Sequence, residues 1–169
     1  MALLSLASKA IGSPEEERST LSAIRAILLV ILVFGILGTG VELLLIMHTE
    51  DYAQWIPLIL IGLSFVTLGW YGARGGTASL RMFQAVMIAF VFAGFAGFYF
   101  HYKGSMEFKL ESKPSLRGWA LFWEAMRGKA PPPLAPGIML QLGLIGLAYT
   151  YRHPSLSSNR KNIDLKEMA

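Results

Sequence analysis

Two histidines and three carboxylates lie in or next to the apolar segments, where their side chains could bind a cofactor. Glu42 lies inside the first long apolar segment, and His48, Glu50 and Asp51 follow that segment closely. His101 ends the third apolar segment. Imidazoles and carboxylates ligate haem iron and transition metals, and ionisable groups within a membrane are costly and often functional.

These residues predict a small site for haem, a metal ion or a quinone. The predicted cofactor-binding residues are His48, His101 and Glu42, and the predicted metal ligands are His48, His101, Glu50 and Asp51. The alternative is that the histidines cap helix ends and Glu42 is a neutral, hydrogen-bonded packing residue. In a regular helix His48 lies about 120° around the axis from Glu42, which weakens joint action by these two.

Gln141 is expected at the start of the fourth apolar segment, in the same outer third of the membrane as Glu42, His48 and His101. Two other polar residues are predicted to be structural. Gln84, near the other end of the third segment, is expected to hydrogen-bond a neighbouring helix. His153, beside Pro154, is expected to have a structural role only.

The elements that position these residues are predicted membrane spans. Of the 169 residues 54% are hydrophobic and only 15% are charged, whereas soluble domains have about 25% charged residues. We predict an all-α membrane protein, a four-transmembrane-helix bundle in one domain covering residues 1–169. The predicted spans are about residues 24–47, 55–71, 82–100 and 135–151, with a connector over 101–136 and a tail over 152–169.

The first span begins with a helix start signal and the third carries small residues. Ser13 and Glu16 have the spacing of a capping box, and Pro14 suits the first helical turn. Small residues at every fourth position of the third span predict a packing face, and the phenylalanines nearby are expected mostly off that face. The small residues are Ala85, Ala89, Ala93 and Gly97, and the phenylalanines are Phe90, Phe92, Phe95 and Phe98.

The connector contains two periodic patterns. Residues 106–111 alternate between apolar and charged side chains, which predicts a short extended segment between the third and fourth spans. Residues 115–127 have helical periodicity with Trp119 and Trp123 on one side, which predicts an amphipathic helix at the membrane interface. A stiff proline link follows at 130–133. We expect 101–136 to be an ordered cap on the outer face.

The basic residues predict the orientation. Nine Lys and Arg residues lie on the side of the termini and the second loop, against six in the connector, and the first loop has none. The positive-inside rule then predicts a multi-pass protein of the cell (plasma or inner) membrane with both termini cytoplasmic. The basic balance is therefore no signal for nucleic acid, and we expect no nucleic-acid partner.

Three segments resemble a group of small uncharacterised four-helix bacterial membrane proteins. They are Glu42–Asp51 (ELLLIMHTED), His101–Phe108 (HYKGSMEF) and Lys129–Gly137 (KAPPPLAPG), within a resemblance that covers about half of the chain. The resemblance implies a bacterial origin and nothing about mechanism.

The function predicted from the sequence is that of a non-catalytic accessory or structural subunit of a larger membrane complex. The chain has no cysteine and no Gly-rich phosphate loop, HExxH or G-x-S-x-G motif, so an enzyme is disfavoured. The expected partners are the lipid bilayer and other membrane subunits, bound through the 101–136 connector. The alternative is a small redox protein, or one that binds metal, haem or quinone through the His and Glu cluster.

Overall fold

The computed structural model describes residues 13–47, 49–128 and 134–156. All regular structure in these residues is helical. The five helices are α1 (Pro14–Leu45), α2 (Tyr52–Arg74), α3 (Thr77–Ser112), α4 (Gly118–Met126) and α5 (Gly137–Thr150).

Three of these helices have the length and composition of membrane spans. α1, α2 and α3 are long and apolar enough to cross a bilayer, whereas α5 is apolar but has only 14 residues. Large apolar side chains such as Phe34, Val66 and Phe92 are mostly exposed on the outside of the bundle. A soluble monomer rarely exposes so much contiguous apolar surface, so the described helices fit a lipid environment.

The start of α1 confirms the predicted capping box. The backbone N–H of Glu16 donates to Oγ of Ser13 over 3.3 Å, and the backbone N–H of Ser13 donates to Oε2 of Glu16 over 2.8 Å. Pro14 occupies the first helical turn, where its missing N–H costs nothing. These bonds satisfy donors that a helix start otherwise leaves free.

The core lies where α5 packs against α3. A Cβ placed on Gly94 of α3 would lie 2.7 Å from the backbone nitrogen of Leu140, and one on Gly143 of α5 would lie 2.7 Å from the carbonyl oxygen of Met87. Gly146 packs equally closely on the side chain of Met87. Only glycine allows these two backbones to approach so closely, which is the packing expected of helices in lipid.

The packing face of α3 differs from the predicted stripe. Ala85, the first member of that stripe, is exposed, and Phe90, predicted off the face, is 0% exposed. A four-residue step advances about 400° around a helix, so a strict four-residue stripe drifts about 40° per step. The observed face alternates steps of four and three residues and stays on one side; it consists of Phe83, Met87, Phe90, Gly94 and Gly97.

The predicted extended segment at 106–111 is wrong, because these residues continue α3 to Ser112 without a break. Six alternating residues are too few to outweigh composition: Met, Glu, Lys and Leu favour helices, and Glu and Lys are depleted in strands. A helical ion pair joins Lys103 to Glu107 over 3.7 Å, four residues apart. The proline link at 130–133 lies outside the described residues.

α4 folds back against the end of α3. The predicted helix over 115–127 is observed as Gly118–Met126, and it packs against α3: Glu124 lies 3.8 Å from Lys109 and 3.5 Å from Lys113. A Cβ placed on Gly128, just after α4, would lie 3.2 Å from Oγ of Ser105 in α3, so the chain at the end of α4 also packs closely on α3. We call residues 101–128 the connector hairpin.

Candidate functional site

Contacts between helices give the depth of each polar group along the bundle. Gly35 of α1 and Gly94 of α3 contact Leu142 and Leu140 of α5. Both glycines lie midway along the apolar parts of their helices. Gln141 therefore lies midway along the bundle, about 10 Å from the depth of His101, whereas the sequence predicted both in the outer third of the membrane. The prediction failed because α5 begins deep in the bundle, where Pro136 packs on Gly97.

The described members of the predicted cofactor site lie toward one end of the bundle. Glu42 is exposed and lies about 10 Å beyond Gly35 along α1. His101 is half-buried and lies about 10 Å beyond Gly94 along α3, in the same direction. Glu42 and His101 are thus at similar depth. We call this the connector end of the bundle.

Glu50 and Asp51 lie at the start of α2, and their backbone groups have a structural role there. The side chain of Gln54 accepts hydrogen bonds from the backbone N–H of Glu50 at 2.7 Å and of Asp51 at 3.3 Å. These bonds fix the turn before α2. The two carboxylates are exposed.

The structure does not gather these side chains into a metal centre among the residues it describes. No three or more His, Cys, Asp or Glu residues there are placed to hold a metal ion. His48, which belongs to both predicted sets, lies outside the described residues. The cofactor set of His48, His101 and Glu42, and the metal set with Glu50 and Asp51, therefore stay predictions.

A polar layer closes the opposite end of the bundle, and we call this the Arg25 end. The guanidinium of Arg25 donates to the carbonyl oxygens of Tyr151 at 3.4 Å and Arg152 at 3.1 Å, just after α5. A cation at this position stabilises the carbonyl groups that a helix end leaves unpaired. α1 is thereby joined to the chain that follows α5.

The other bonds of this layer join α5 and the chain after it to α2 and α3. Nε2 of Gln84 donates to Oγ1 of Thr150 over 3.1 Å, which confirms the helix-to-helix bond expected of Gln84. The hydroxyls of Tyr71 and Ser155 lie 3.0 Å apart, and Oγ1 of Thr77 donates to the carbonyl oxygen of Ser155 over 2.6 Å. Side chains of α1, α2 and α3 thus hydrogen-bond to the end of α5 or to the chain that follows it, within one polar layer.

His153 lies at the centre of the polar layer. Its ring lies 5.7 Å from the ring of Tyr71 and 5.6 Å from that of Tyr149, and its Nδ1 accepts from the backbone N–H of Ser155 over 3.3 Å. Burial, together with the positive charge of Arg25, lowers the pKa of His153 below its ordinary value of 6.5. The neutral form of the ring is therefore favoured at this position. Its contacts with Tyr71, Tyr149 and Ser155 indicate a structural role.

The connector hairpin presents the largest group of aromatic side chains outside the bundle in the described residues. Trp119 stacks on Phe122 with ring centroids 5.0 Å apart, and Phe122 contacts Tyr102 of α3 at 5.8 Å. The guanidinium of Arg127 lies 5.7 Å from the ring of Trp123. Trp119 is still 70% exposed and Trp123 45% exposed. These rings pack on one another and on α3, yet much of their surface is uncovered.

Comparison of the chain with protein-family models, curated proteins and solved structures finds no match. The geometry of the chain itself therefore carries the functional argument. Its features are a bundle closed by a polar layer at the Arg25 end, and an aromatic, basic hairpin at the connector end.

Proposed function

We propose that this protein is a non-catalytic accessory or structural subunit of a larger membrane protein complex, and that a partner subunit binds the connector hairpin. The observation that carries this proposal is the pair of exposed tryptophans, Trp119 and Trp123, on a helix fixed by α3. Tryptophan and arginine are the residues most enriched in the energetic centres of protein interfaces.

Contacts within the connector hairpin position the rings of Trp119 and Trp123. Ala125 is fully buried against α3, and Glu124 reaches Lys109 and Lys113. The stacking of Trp119 on Phe122 restricts the ring before any partner binds. A preorganised surface loses less conformational entropy on binding than a mobile one, and this favours a docking role over a flexible linker.

We further propose that the chain forms a four-helix membrane bundle in a single domain. α5 has 14 residues, which is about 21 Å of helix against a hydrocarbon core of about 30 Å. α5 extends from the level of Gly97 to the level of Arg25, at the other end of the bundle. The turn before it, residues 134–136, adds further length. The backbone N–H groups of Gly137, Ile138 and Met139 donate within this turn, so α5 can begin inside lipid without free donors.

The proposed location is the cell membrane, with both termini cytoplasmic. The start of α1, the turn after α2 and residues 151–156 all lie at the Arg25 end, since Arg25 and Thr77 both contact the chain after α5. The described basic residues at that end are Arg18, Arg25, Arg74, Arg81 and Arg152. The described connector hairpin also carries five Lys and Arg residues, so the cytoplasmic assignment rests on the whole-sequence count of nine against six and on the first loop, which has none.

The chain has no cysteine, so single introduced cysteines report orientation without background. The variants are Arg117→Cys, in the connector hairpin, and Arg18→Cys, at the start of α1. In intact cells a membrane-impermeant maleimide is expected to label only Arg117→Cys, and Arg18→Cys is expected to react after permeabilisation. Labelling of Arg18→Cys in intact cells would contradict the proposed orientation.

The partner is tested by site-specific photo-crosslinking in native membranes. A photoreactive amino acid at position 119 is expected to give one crosslinked species of defined mass, identified by mass spectrometry. The matched control is position 108, because Phe108 is also an exposed aromatic residue of the hairpin (58% exposed) but belongs to α3 and not to α4. Equal crosslinking at both positions, or crosslinking at position 119 to lipid alone, would count against a docking surface.

A further inference from the structure

Gln141 is a polar side chain on an otherwise apolar outer face. It is exposed, and it lies midway along the bundle, level with Gly35 and Gly94. Within the described residues its amide makes no hydrogen bond, whereas Gln84 is paired with Thr150. An amide that faces hydrocarbon without a partner is unfavourable, since lipid offers no replacement for water.

A shallow groove surrounds this amide. It has a volume of about 380 Å³ and is lined by residues of α1 and α5, namely Leu28, Gly137, Leu140, Gln141, Leu144, Ile145 and Ala148. The small residues Gly137 and Ala148 leave room at its two ends, and Leu144 is exposed beside Gln141. The groove can therefore accept an apolar side chain, and its only polar group is the amide.

We infer that this face is the interface of a symmetric dimer, in which the occupant of the groove is a second copy of this chain. A carboxamide carries both a donor and an acceptor, so two Gln141 side chains related by a twofold axis can each donate Nε2–H to Oε1 of the other. The same symmetry places Leu144 of each copy against the groove of the other. A different partner would have to supply a polar residue of its own at this depth.

The short length of α5 supports the same assignment. A helix of about 21 Å that faces lipid does not match a hydrocarbon core of about 30 Å, and oligomerisation is one of the ways in which this mismatch is relieved. The dimer proposed here would cover α5 and leave the longer helices in contact with lipid. It uses a different face from the connector hairpin, so it is independent of the proposed accessory role.

The first test is disulfide crosslinking in native membranes, which the cysteine-free chain allows. Leu144→Cys is expected to form a covalent dimer on mild oxidation. The matched control is Phe92→Cys, since Phe92 is 68% exposed on α3, away from the groove. A dimer formed by Phe92→Cys and not by Leu144→Cys would overturn the inference, and so would the absence of any dimer with Leu144→Cys.

The second test measures dimer affinity by energy transfer between labelled copies in lipid vesicles. Gln141→Leu removes both amide hydrogen bonds of the dimer and keeps the size, and is expected to raise the dissociation constant about tenfold to a hundredfold, because each interhelical hydrogen bond contributes about threefold to tenfold. Gln141→Asn keeps both hydrogen-bonding groups and is expected to restore part of the affinity. Unchanged affinity in Gln141→Leu, or a wild-type protein that is monomeric at every protein-to-lipid ratio, would contradict the dimer.

Discussion

Replacing Gly143 by alanine tests the close packing of α5 against α3, which sets the depth of the polar groups on both helices. The new Cβ would lie 2.7 Å from the carbonyl oxygen of Met87 and 2.8 Å from Cγ2 of Val91. The Met87 oxygen is backbone, so relief requires the two helices to move apart. Overpacking of this kind costs about 1–3 kcal/mol of unfolding free energy.

The matched control is Gly38→Ala, because no heavy atom lies within 4 Å of a Cβ at that position of α1. Alanine is favoured over glycine in helices by about 0.5–1 kcal/mol, and this gain is common to both variants. The difference between Gly143→Ala and Gly38→Ala is therefore the overpacking cost alone, about 1–3 kcal/mol.

The assay is equilibrium unfolding in mixed micelles, with far-ultraviolet circular dichroism followed as a denaturing detergent is added. Gly143→Ala is expected to unfold earlier than the wild type, and Gly38→Ala at the same point or later. Gly94→Ala opens the same interface, so the double variant with Gly143→Ala is expected to lose less than the sum of the single losses. Equal stability of Gly143→Ala and Gly38→Ala would refute the proposed packing.

Four further predictions concern the two ends of the bundle. Arg25→Gln removes the cation beside the end of α5 and is expected to lower the unfolding free energy by about 0.3–1 kcal/mol in the same assay. Because the pKa of His153 is lowered in the folded protein, stability is expected to fall as the pH drops below about 6.5, and His153→Gln is expected to remove this part of the pH dependence. Trypsin added from the connector side is expected to cut after Arg117, in the turn, before Lys109, in α3; early cleavage at Lys109 would contradict an ordered hairpin. A visible absorption spectrum and elemental analysis test the haem and metal alternative, which predicts a signal that His101→Ala reduces.

Local signals in the sequence predicted the start of α1 and much of the apolar architecture. The capping box at Ser13 and Glu16 depends on residues three positions apart, so it can be read without knowledge of the fold. The predicted helix at 115–127 has its periodicity from residues within three turns of one another. Such patterns are set by geometry within a single helix.

Features that depend on contacts between two helices could not be predicted from local sequence patterns. Gln141 was predicted at a depth similar to that of His101, because its position in the fourth span was known but the depth at which α5 begins was not. That depth is set by the contact between Pro136 and Gly97, which are far apart in the chain. The same holds for the polar layer, where Gln84 and Thr150 meet only after α3 and α5 pack.

The predicted strand at 106–111 failed for a different reason. The residues do alternate between apolar and charged side chains, but they belong to a helix. In this helix Lys103 and Glu107 form an ion pair, and Lys109 faces Glu124 of α4. The charged residues that suggested one exposed side of a strand instead stabilise a helical hairpin. The short pattern alone did not distinguish these two structures.

The accessory role is tested most directly by native mass determination after extraction of the protein from its own membranes in a mild detergent. The wild type is expected to be recovered with a second, defined chain in constant ratio. Trp119→Ala with Trp123→Ala is expected to lose that chain while the protein stays folded, and Phe108→Ala is expected to keep it. Recovery of the wild type without any other chain, or equal retention of the second chain in both variants, would contradict the account.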